Sequence, residues 1–196
     1  MKDILVIEGE KHDRERLREA LFGLDALPGE IADKVITAWM TAIKNSRFEH
    51  IEEVPYSLLA PKHRLIDHVN DVVKLGLLLA RGARDLWNFK IDDNKLIQVL
   101  LLHDVDKPLL YSGKGNMIQK SDLSYRVPHG VLGGLILNKV GFPDDIVYIV
   151  STHSIESPFH GTESEAYILH YADLFSADHI LIEAGAQPFY EKHVLP

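Results

Sequence analysis

LIQVLLLHDVDK, residues 96–107, decides how the chain reads. The run over 96–102 is apolar on nearly all sides, which predicts a deeply buried helix opened by a cap at Asp92/Asp93. At its end stand an imidazole and a carboxylate, His103 and Asp104. Beside so apolar a helix, each carries a large desolvation cost unless it is paired or holds a metal. Taken alone, the pair reads equally as an exposed helix end.

Outward from this stretch the hydrophobic spacing is helical almost everywhere. Leu17, Leu21 and Leu24 share one face of a predicted helix over 13–24, with Asp13 as N-cap. Ile31, Val35, Ala38, Trp39, Ala42 and Ile43 mark a second helix over 29–45, started by Pro28. A less periodic stretch with Pro55 and Pro61 as breakers follows. Val69, Val72, Val73, Leu77 and Ala80 trace the stripe of a third helix over 63–86. A polar loop is expected over 107–128, then helices over 129–140, 143–153 and 163–184. Only ILVIEG, residues 4–9, reads as strand, and it has no partner. The expected fold is all-α, with residues 1–60 as a helical extension packed on a helical core of residues 61–196.

The 196-residue chain has 11 histidines, no cysteine and a net charge of −8. Lack of cysteine excludes disulfides, thiolate zinc sites and cysteine nucleophiles. The acidic balance argues against wrapping duplex nucleic acid, which rests on Lys and Arg against phosphate. No segment approaches the ~20 apolar residues of a membrane span, and the N-terminal apolar run is too short for a signal peptide. A cytoplasmic protein is expected. Exposed apolar positions in the N-terminal helices offer a homodimer contact.

The histidines carry the chemistry. His68 lies on or beside the apolar stripe of its helix, His129 follows Pro128, His153 ends a helix containing IVYIV, and Asp173 sits inside YILHYADLFSA. Each alone reads as well as a satisfied core or boundary residue. With His103 and Asp104 they fall on five consecutive helical segments, at gaps of 35, 25, 24 and 20 residues. A helical bundle brings such positions onto one interior site, as carboxylate–histidine metal centres do.

The pattern H…HD…H…H…D resembles the HD-domain superfamily of metal-dependent phosphohydrolases, over roughly residues 63–183. With both His129 and His153 present it is similar to the dinuclear subset. HDVDK and the spacing are most like the bacterial branch that splits diadenosine tetraphosphate symmetrically. That branch carries an Arg three residues before its first ligand histidine, whereas Arg64 precedes His68 by four. The resemblance implies an HD-domain helical bundle with two transition-metal ions. One is held by His68, His103, Asp104 and Asp173, the other by Asp104, His129 and His153. Adjacent helical residues point apart, so His103 and Asp104 do not chelate as a simple pair, but a carboxylate can bridge two ions. Imidazole and carboxylate without sulfur suit iron, manganese, cobalt, nickel or zinc; the resemblance favours iron.

Two ions about 3.5–4 Å apart can hold a hydroxide near neutral pH and clamp the phosphate oxygens it attacks. Phosphoryl transfer also needs cationic residues at the site. The loop after Asp104 carries Lys107, Lys114, Lys120 and Arg126 against Asp106 and Asp122. Lys107, one turn after Asp104, joins it as a catalytic candidate; in related HDxxK proteins this lysine contacts the substrate or the metal-bound oxygens. Arg81, Ser154 and His160 are further candidate substrate contacts, and His170 either braces the site or packs. The expected function is hydrolysis of a nucleotide or another small anionic phosphate ester or anhydride. The main alternative is an oxygenase, because HD proteins with the same six ligands include di-iron enzymes that cleave inositol or aminophosphonates with dioxygen. Chain length, the gaps and the lack of an HDxGH form weigh against it. The third reading, a non-catalytic regulatory module, is opposed by the complete ligand set.

Overall fold

Asp92 accepts a hydrogen bond from the Lys95 amide at 3.1 Å, and the cap read from the sequence opens the central helix of the molecule. The computed structural model describes residues 4–113 and 117–192. Its first half runs α1 (Lys11–Ala20), α2 (Gly29–Lys44), β1 (Pro55–Ser57), β2 (Ala60–Arg64), α3 (Leu65–Trp87) and α4 (Asp93–Leu102). The second half runs α5 (Lys107–Leu110), β3 (Tyr111–Ser112), β4 (Gln119–Lys120), α6 (Val131–Val140), α7 (Asp144–Thr152), α8 (Ser164–Glu183) and α9 (Phe189–Lys192). Among the described residues the fold is all-α apart from two small antiparallel pairs, β1 with β2 and β3 with β4.

Helix α4 is central because, after its polar first turn, every residue over 96–102 is buried. Leu96, Val99, Leu100, Leu101 and Leu102 are fully buried, and α2, α3, α7 and α8 all pack on it. At about 25 cal/mol per Å², burial of each such leucine stabilises the fold by roughly 1.5–3 kcal/mol. The last carbonyls of a helix lack intrahelical partners. Here Trp39 Nε1 donates to Leu101 O at 3.1 Å and His103 Nδ1 lies 2.9 Å from Leu100 O. At the other end the Asp92 amide donates to Glu165 of α8 at 2.7 Å. One hydrophobic cluster runs from Ile4 through Trp39 and Leu100 to Ala172, so the N-terminal helices share the core of the rest. No helix among the described residues is long and apolar enough to cross a membrane.

Several local expectations are corrected. Helix α1 starts two residues before Asp13, which is not a cap: its buried carboxylate turns inward to Lys44 Nζ at 2.8 Å. The helix ends at Ala20, where Leu21 turns extended, and Leu24 falls in a short 3-10 turn entered through Gly23 at φ +84°. The less periodic stretch with Pro55 and Pro61 forms a hairpin, so strand occurs there and not at residues 4–10. Residues 107–110 are not loop but the buried helix α5, because Pro108, Leu109 and Leu110 join the core. His129 does not open a helix; α6 begins two residues later, after a turn at Gly130 with φ +84°.

Candidate metal centre

Five segments converge on Asp104. His68 comes from the second turn of α3, His103 and Asp104 from the end of α4, His129 from the turn before α6, His153 from the end of α7, and Asp173 from the middle of α8. His68, His103 and Asp104 are essentially inaccessible, while 25% of the His129 side chain is exposed.

The two carboxylate oxygens of Asp104 face different groups. Around Oδ2, His68 Nε2 and His103 Nε2 each lie at 3.4 Å, and these two nitrogens are 3.2 Å apart. Asp173 Oδ1 adds a fourth donor, 3.2 Å from His68 Nε2 and 3.9 Å from His103 Nε2. Around Oδ1 stand His129 Nε2 at 3.0 Å and His153 Nε2 at 3.8 Å. His68, His103 and Asp104 could hold one metal ion, and so could Asp104, His129 and His153. Donors at about 2.0–2.2 Å from one ion lie roughly 3.0–3.5 Å from each other, the spacing found in the first group. His153 Nε2 supplies the second test of fit: it is buried and has no hydrogen-bond partner.

The ring orientations follow from what the opposite nitrogens do. His103 Nδ1 lies 2.9 Å from Leu100 O and His153 Nδ1 lies 2.7 Å from Val150 O. A carbonyl only accepts, so each Nδ1 carries a proton and each Nε2 is left to face the site as the nitrogen available to a metal ion. Both rings thus cap the ends of their own helices. His68 Nδ1 meets Ser176 Oγ at 3.0 Å, and His129 Nδ1 meets Asp106 Oδ1 at 3.0 Å.

Charge is concentrated here. Burial raises the Asp104 carboxyl, but Lys107 and His103 outweigh it and hold the group well below the usual carboxylate range. Lys107 Nζ lies 2.7 Å from Asp104 Oδ2 and 4.0 Å from the centre of the Tyr56 ring. Burial alone would strip its charge, yet Asp104 raises it and keeps it an ammonium. Burial likewise lowers the His129 imidazole, but Asp106 and Asp104 push it up to about 10. His68, where burial dominates, moves down.

An open pocket leads to this cluster. Asp104, Lys107, His129, His153, Ser154, His170 and Asp173 line it together with Tyr56, Ile155, Leu174, Ala177 and Phe189. Ser154 is therefore at the pocket wall. His160 is exposed, with its ring 5.1 Å from that of His170. Lys120, Arg126 and Arg81 are exposed and are not among the lining residues; Lys120 Nζ sits 5.8 Å above the Tyr125 ring. Lys114 lies outside the described residues. Arg64 makes an exposed two-pronged pair with Asp67 and points at no donor of the cluster. Sequence reasoning missed Tyr56, Ser176 and Asp106. Asp106 counted as a loop charge, although Val105 and Leu109 beside it were an apolar signal of burial.

A family model described as HD domain matches residues 65–178. The chain is also 32% identical over 128 residues to a dihydroneopterin 2',3'-cyclic phosphate phosphodiesterase of Methanocaldococcus jannaschii, covering 63% of this chain and 51% of the relative. The chain thus aligns with about half the length of that relative. No solved structure matches the chain.

Proposed function

Because the chain belongs to the HD-domain family, which its residues 65–178 match, we propose that it is a metal-dependent phosphohydrolase with a two-ion centre. The observation that carries this reading is the placement of Asp104, whose Oδ2 and Oδ1 each face a separate set of imidazole nitrogens. In this reading His68, His103, Asp104 and Asp173 hold one ion, and Asp104, His129 and His153 hold the other. Iron, manganese or zinc suits such nitrogen–oxygen sets. When bound, such a pair acidifies water and neutralises phosphate charge.

The remaining steps belong to the side chains. Lys107 stays charged and lies beside Asp104, so its ammonium orients the anionic phosphorus group and offsets charge developing on its oxygens. It holds its proton too firmly to act as a base. Tyr56 under the ammonium and Ser154, which also lines the pocket, position the phosphate, while Ile155, Leu174 and Phe189 exclude water along the organic part of the substrate. The substrate class is a small phosphoric ester, and the relative's name adds cyclic phosphodiesters to the nucleotides first considered.

The test is a metal-reconstituted assay on 2',3'-cyclic nucleotides, dinucleoside polyphosphates and a phosphonate, run with and without dioxygen. Metal-dependent phosphoester hydrolysis unaffected by removing dioxygen is expected. Turnover that stops anaerobically would establish the oxygenase instead, and absence of all metal-dependent turnover would leave a binding module.

A further inference from the structure

Asp106 is fully buried yet stands outside both donor groups. Both of its oxygens are engaged: Oδ1 lies 3.0 Å from His129 Nδ1, and Oδ2 accepts the Gly130 amide at 3.0 Å. Building on the two-ion reading, we infer that Asp106 is a positioning residue that holds His129 with its proton on Nδ1 and so sets the affinity of the Asp104–His129–His153 half of the site.

The need for such a residue follows from where His129 sits in the fold. His103 and His153 end helices, where free carbonyls are available to fix their Nδ1 protons. His129 precedes α6, and the free groups at a helix start are N–H donors. An acceptor has to come from elsewhere in the chain, and Asp106 of the α4–α5 turn provides it. Gly130 makes the second half of the contact. Its φ of +84° turns the amide to Asp106, and a Cβ there would meet Ser151 O and Val150 O at 3.1 Å. Among the four site histidines, His129 alone has its Nδ1 against a carboxylate; the others meet Leu100 O, Val150 O and Ser176 Oγ.

Two donors therefore face one side chain, which only a carboxylate can satisfy. In Asp106→Asn a single oxygen remains as acceptor and the new NH₂ is a donor. The Gly130 amide cannot change its role, but an imidazole can move its proton. With the oxygen on Gly130, the NH₂ faces Nδ1 and the His129 proton shifts to Nε2, the nitrogen that faces Asp104. The lone pair is then lost from the site. Partners of ligating histidines typically contribute about 10–100-fold in metal affinity.

Calorimetric titration of metal-free wild type and D106N with zinc alone tests this, with melting curves and histidine ¹⁵N spectra of the zinc-loaded wild type. Two ions in the wild type, an unchanged first step in D106N, a second step weakened about 10–100-fold and a proton on His129 Nδ1 are expected. Equal affinity at both steps, or equal weakening of both with a lower melting point, overturns the inference. So does a wild-type His129 protonated on Nε2, a result available even if D106N does not fold. Uptake of one ion by the wild type overturns the two-ion reading instead, while the ¹⁵N spectrum still decides the role of Asp106.

Discussion

His68 Nε2 and His103 Nε2 face each other at 3.2 Å inside the protein, with neither ring accessible to solvent. Because His103 Nδ1 donates to Leu100 O, a neutral His103 meets its neighbour with a lone pair. Such a contact needs a proton or a metal ion between the rings. Chelation should therefore lower the melting temperature, and returning the ion should restore it. Ligand at a hundredfold excess over Kd adds about 2.7 kcal/mol, or roughly 5–11 °C for a chain of this size. Asp104→Ala should bind no metal and show no such shift. A melting temperature indifferent to chelator and metal would refute the centre.

Lys107→Ala removes the ammonium beside Asp104 but none of the imidazole or carboxylate donors. Metal content should stay at the wild-type level while kcat on a phosphodiester falls about 10²–10³-fold. Elemental analysis together with steady-state kinetics decides this. An unchanged kcat would remove Lys107 from the chemistry.

The Asp13–Lys44 contact predicts a pH dependence of stability well away from the metal centre. The hydrogen bond from Lys44 holds the Asp13 carboxyl below its ordinary value, against the opposing effect of burial. A carboxyl lowered on folding contributes stability above its unfolded pKa of about 3.9 and loses it as pH falls through the folded value. Asp13→Asn should cost about 1.5–3 kcal/mol at pH 7. The gap to wild type should close below about pH 4. Urea denaturation at pH 7, 5 and 3 measures it; a gap constant over that range would contradict the pairing.

Gly76 marks where α3 crosses α4. A Cβ there would come within 2.6 Å of both methyl carbons of Leu100, which is fully buried. Gly76→Val should destabilise the metal-free protein by about 1–3 kcal/mol through overpacking. Denaturant unfolding reads this directly, and wild-type stability would mean the two helices separate freely at this point.

Helix order and the residues that meet at Asp104 were legible because burial at period 3.6 and repeated one-helix gaps are local properties of a chain. Leu96 to Leu102 announced their own depth by being apolar on nearly all sides. The hairpin at Pro55–Arg64 was not legible, since its strands are short and Tyr56 is buried against residues distant in the chain, among them His68, Lys107, and Ala177 and Ile180 of α8. Asp13 misled for a related reason. An aspartate near a helix start looks like a cap, and only the distant Lys44 reveals that it is turned inward. Asp106 stayed hidden because its partners, His129 and Gly130, are 23 and 24 residues away. Basic residues such as Lys120 and Arg126 could be counted but not aimed, because a loop's composition does not determine its path.

His68 and Ser176 touch although 108 residues separate them in the chain. Closing so long a segment is a late and entropically expensive event in folding. Ions gripped by α3, α4, α7 and α8 at once would therefore be recruited only after most of the molecule has assembled. Once bound, they would fasten its two ends together as a cross-link does, and spontaneous opening would have to break every one of those attachments together. Slow unfolding of the loaded protein, with little change in its folding rate, is the kinetic signature of that arrangement.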